Sequence, residues 1–81
     1  MEKVKIVNFF NITKDKNESY QSFLIKLMAI WVETKYSEIS ILKDKILDNV
    51  HNDELRQLVI AAKEVDFSTI FARSAIFDLS S

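Results

Sequence analysis

Apolar residues recur along most of the chain at the three- and four-residue intervals of an α-helix, separated by short polar stretches that can stop one helix and start the next. The clearest stripe is Tyr20, Phe23, Leu24, Leu27, Met28 and Trp31. Ile25, Ala29, Ile30 and Val32 add apolar surface around it, so the helix running from Asn17 to about Tyr36 reads as the central one of the fold. Asn17 is placed to cap its first amides. Ser37 can cap a second helix, in which Ile39, Leu42, Ile46, Leu47 and Val50 form the inward stripe and Lys43, Lys45 and Asp48 are expected to face water. Asn49-Val50-His51-Asn52 reads as a turn. Asn52 then opens a third helix, with Asp53 and Glu54 near the positive end of its dipole and Leu55, Leu58, Val59, Ala62 and Val65 on its buried side.

A final helix is expected from about Ser68 to Leu79, capped by Asp66 or Ser68. It carries Phe67, Ile70, Phe71, Ser74 and Phe77 on one side and Ala72, Ala75, Ile76 and Leu79 on another. Two apolar sides are more than one bundle face covers, so this helix has surface to spare for an interface. The segment 3–13 is less decided. Val4, Ile6, Phe10 and Ile12 alternate onto one face as in a strand, and β-branched and aromatic residues favour that reading; Ile6, Phe9, Phe10 and Thr13 also fit a helix. A strand is the preferred expectation, with a first helix as its competitor.

Composition reinforces the helical reading. The chain has 81 residues with no glycine, proline or cysteine. Helices lose nothing from the absence of Gly and Pro, whereas all-β folds depend on glycine at hairpins and bulges. The expected fold is therefore a single all-α domain over residues 1–81, a small bundle of three or four helices with an N-terminal strand or first helix. The longest apolar run, Phe23 to Val32, is interrupted by Lys26 and is about half of the roughly 20 residues needed to cross a bilayer, so no membrane association is expected. The N-terminus lacks the uninterrupted apolar core and small-residue cleavage site of a signal peptide, and with no cysteine the expected setting is the cytoplasm.

The same absences narrow the chemistry. Dinucleotide folds, phosphate loops and nucleophile elbows all use glycine, and Cys/His metal sites need more than a single histidine, so no cofactor, metal or catalytic residue is expected. His51 is read as an exposed turn residue, and Asp44 with Asp48 as part of a solvated charged face. The net charge of −1 gives no global attraction to nucleic acid or membrane.

Two local asymmetries are left. Phe9, Phe10, Phe67, Phe71 and Phe77 add much apolar surface for so short a chain, and point to a non-enzymatic protein-interaction module of the regulator, inhibitor or immunity type. Its partner is expected to be another protein or a second copy, as a homodimer. Alternatively, Lys3, Lys5, Lys14 and Lys16 around the two N-terminal phenylalanines form a basic segment that could contact phosphate and bases. A strand followed by helices is similar in outline to ribbon-helix-helix repressors, which would make the protein a dimeric nucleic-acid-binding regulator.

Overall fold

A computed structural model describes residues 2–35, 37–62 and 67–79, and of residues 2–6 the backbone alone. Those residues form five α-helices and no strand: α1 Glu2–Asn11, α2 Tyr20–Thr34, α3 Ile39–Asn49, α4 Asp53–Ala61 and α5 Phe67–Leu79. The all-α bundle expected from the sequence is the fold. The preference for a strand at 3–13 is overturned, because α1 occupies that segment. A strand there would find no partner strand for its amides, whereas a helix satisfies them within itself. As a helix, α1 drives Phe9 into the core, where its ring lies 5.3 Å from that of Trp31.

The central position of α2 follows from its stripe. Phe23, Leu24, Leu27 and Trp31 are buried, and the helix packs against α1 on one side and α5 on the other. In turn α4 joins α5 to α3. Leu42, Ile46 and Val50, with Leu55, Val59 and Ile70, complete the core. The molecule is flattened, with extents of 39 × 29 × 18 Å. Apolar residues such as Ile25, Val32 and Ile76 lie off the core-facing stripes of their helices and stay exposed.

Helix boundaries shift by a residue or two from the sequence expectation. Ser19, not Asn17, caps α2, its Oγ accepting from the Ser22 amide at 3.1 Å. The helix ends at Thr34, where Lys35 turns left-handed at φ 60° and donates its amide to Val32 O. Glu38 rather than Ser37 precedes α3 and makes no side-chain cap. Asn52 caps α4 as expected, accepting from Leu55 N at 3.1 Å. Ser68 lies inside α5, not at its cap. Tyr36, Val65 and Asp66, also named above, lie outside the described residues.

Helix C-termini leave carbonyls unpaired, and glycine usually provides the left-handed turn that closes them. Lys35 provides that turn for α2, but at the ends of α1, α3 and α4 cations from neighbouring helices reach the carbonyls instead. Lys45 Nζ on α3 donates to Phe10 O on α1, and Lys43 Nζ donates to Ala62 O and Ile60 O at the end of α4. Arg56 Nη1 on α4 returns the favour to α3 through Leu47 O and Val50 O. Lys43 and Lys45, expected to face water, are thus half-buried tertiary caps.

Candidate functional site

A groove of about 530 Å³ lies between α4 and α5. On the α4 wall stand Glu54, Gln57, Leu58 and Ala61, the i, i+3, i+4, i+7 positions of one helix face. Arg73, Ile76 and Phe77 form the α5 wall at i, i+3 and i+4. The lining is mainly apolar, and its two charged members, Glu54 and Arg73, are exposed. The core stripe of α4 takes only Leu55 and Val59, leaving Leu58, 38% exposed, on the groove side. On α5 the core takes Ile70 and Ser74, so Ile76 at 59% and Leu79 at 89% project outward, with exposed Ala72 beside them at the same helical spacing. Ser74 is fully buried without cost because its hydroxyl donates to Phe71 O at 2.7 Å.

The phenylalanines singled out from the sequence do not gather at one surface. Phe9 is 0% exposed and belongs to the core. Phe67 and Phe71 are half-buried, stacked on each other with centroids 5.8 Å apart, and pack against the core. Phe77 also packs there while lining the groove. Phe10 is exposed over a shallow cleft of about 190 Å³ with Ile41, Asp44, Lys45 and Asp48. What the aromatic count missed is the aliphatic pair Leu58 and Ile76; the second apolar side of the last helix was the signal that pointed to Ile76.

Of the basic N-terminal segment, the structure places the side chains of Lys14 and Lys16. Lys14 and Lys16 line a cleft of about 490 Å³, which they share with the carboxylates of Glu18 and Asp78. The Lys14 ammonium lies 5.0 Å from the Tyr20 ring centroid, and its backbone amide donates to Asn49 Oδ1 at 2.9 Å. Asp78, from the last turn of α5, accepts from the amides of Tyr20 at 2.7 Å and Gln21 at 3.2 Å, so a carboxylate of the chain itself occupies the positive end of α2. Lys3 and Lys5 have side chains outside the described set. With α1 helical, the paired strands of a ribbon-helix-helix protein have no counterpart among the described residues.

Beside this cleft, Glu18 binds Lys26 Nζ at 3.0 Å, the Asp15 amide at 3.2 Å and the Ser22 hydroxyl at 3.1 Å. Partial burial pushes its carboxyl pKa up, but the hydrogen bonds from Lys26, Asp15 and Ser22, with the Lys26 charge, outweigh this and hold it below the usual value. The cluster ties the loop before α2, since Lys26 Nζ also reaches Thr13 O at 3.3 Å. His51 is exposed in the α3–α4 turn, and among the described residues no three His, Asp or Glu side chains converge as metal ligands. No helix among the described residues is long and apolar enough to cross a membrane.

Fold and surface together define a small all-α bundle with one apolar groove between its last two helices. No known protein family, curated protein or solved structure matches the chain.

Proposed function

We propose that the protein is a small non-enzymatic protein-binding module whose contact surface is the α4–α5 groove. The observation that carries this reading is the pairing of a mainly apolar lining with Leu58 and Ile76 left in solvent. A chain this small has little apolar surface to spare, and exposed patches rimmed by polar groups mark sites of association. Glu54 and Arg73 are the exposed charged members of its lining. A regulator, inhibitor or immunity-type role acting by occlusion of a partner fits a surface of this kind, and the cysteine-free sequence fits a cytoplasmic setting.

The test is photocrosslinking in the source cell, with a photoreactive phenylalanine analogue at Gln57 on the α4 wall. A discrete adduct is expected, and it should vanish in a Leu58→Ser, Ile76→Ser variant whose far-UV circular dichroism matches the parent. These two positions are preferred to Phe71, whose packing against the core would confuse loss of binding with loss of fold. No adduct, or an adduct indifferent to both substitutions, overturns the proposal.

A further inference from the structure

We infer that the occupant of the α4–α5 groove is a second copy of this chain, packed about a twofold axis so that the α4–α5 face of one protomer covers that of its partner. The inference rests on the groove reading above and adds the identity of what fills it.

Charge is the first argument. The groove has one acidic residue, Glu54, on its α4 wall and one basic residue, Arg73, on its α5 wall, and both are exposed. They do not neutralise each other, because the ion pair formed among the described residues is Lys26–Glu18. A twofold interface is self-complementary: if residue i meets residue j, then j meets i. Arg73 facing the partner's Glu54 therefore generates a second, identical pair from Glu54 and the partner's Arg73. A surface with one charge of each sign on opposite walls is matched by itself, whereas an unrelated partner would need the complementary pattern independently.

Shape is the second argument. Two helices present i, i+3, i+4 seams side by side, and the outward ridge Ala72, Ile76 and Leu79 continues the apolar surface past the groove. Bringing two such pairs together makes a four-helix layer, the arrangement in which apolar seams of this spacing are ordinarily covered. The face spans 13 residues of α5, about 20 Å, and 9 residues of α4, about 14 Å, each helix about 10 Å wide. That is roughly 340 Å² of projected area per protomer, in the range of weak and reversible association. The dimer should accordingly dissociate on dilution.

Sedimentation equilibrium of the full chain over a wide concentration range tests this, with circular dichroism to confirm folding of each variant. The parent should show a monomer–dimer equilibrium. Glu54→Arg and Arg73→Glu, each alone, should weaken it by about tenfold or more, since each places like charges together twice. The two substitutions combined should restore it to within about threefold. A dimer unaffected by either charge reversal overturns this interface. A monomer at every concentration, together with a Gln57 crosslink to a different protein, overturns the second copy as occupant while sustaining the groove as a binding surface. Monomer and no crosslink overturn both.

Discussion

Removing the Asp78 carboxylate should destabilise the protein more than removing the local cap of the same helix. The first three amides of α2 are those of Tyr20, Gln21 and Ser22, which have no partner within the helix. Asp78 accepts the first two and Ser19 Oγ the third. Asp78→Ala leaves two half-buried amides to find water in a cleft shaped around a carboxylate, and deletes a negative charge at the positive helix end. Hydrogen bonds to charged groups contribute about 1.5–3 kcal/mol each when well formed. One of these is 3.2 Å long and the cleft is open, so a total near 2 kcal/mol is expected. Ser19→Ala, which loses one exposed neutral bond, should cost about 1 kcal/mol. Urea denaturation followed by Trp31 fluorescence and circular dichroism at low temperature would read this. With a slope of roughly 1 kcal/mol/M for so small a chain, the midpoint should fall by about 2 M for Asp78→Ala and about 1 M for Ser19→Ala. A smaller shift for Asp78→Ala than for Ser19→Ala would refute the view that α5 completes the start of α2.

Three further outcomes follow from the geometry. Phe9→Ala should cost about 3–5 kcal/mol and alter Trp31 emission, because the ring is fully buried against that indole; a loss under about 1 kcal/mol would mean α1 is not docked as described. Lys35→Gly should stabilise the chain by about 0.5 kcal/mol, relief of a left-handed backbone at φ 60° exceeding the added unfolded-state entropy, and a lowered urea midpoint would contradict it. Glu18 has a folded-state pKa below its usual 4.5, so its stabilising contribution is present above that value and is lost as pH falls through the lowered one. Glu18→Gln should therefore flatten the decline of the urea midpoint on the acid side of 4.5, and identical pH profiles for the two proteins would exclude this role.

Local periodicity made α2 to α5 legible in the sequence, because Phe23, Leu27, Ile46, Leu55 and Ile70 each lie on an uninterrupted helical stripe. The segment of α1 was ambiguous because its apolar residues satisfy two periods at once, and what decides between them is the nonlocal contact of Phe9 with Trp31. Lys43 and Lys45 have carbonyl partners 17 to 35 residues away, which no local pattern encodes. Asp78 lies 58 residues from the amide it accepts, and is invisible for the same reason. The groove was half legible. The two-sided character of the last helix pointed to it, but aromatic size drew attention to Phe9 and Phe71, which the core absorbs, and away from Leu58.

Cations that reach across to finish helix ends make the ends interdependent. In an isolated helix the last turn frays on its own, with little effect on its neighbours. In this protein, releasing the last turn of α4 strips Lys43 of its acceptors on that helix, and releasing the last turn of α3 does the same to Arg56. Without glycine to close those turns locally, an end opens readily only when the neighbouring helix lets go of it. Amide exchange at the termini of α3 and α4 should then track whole-molecule opening more closely than end fraying, giving a small chain a sharper unfolding boundary than helices of 9 and 11 residues would have by themselves.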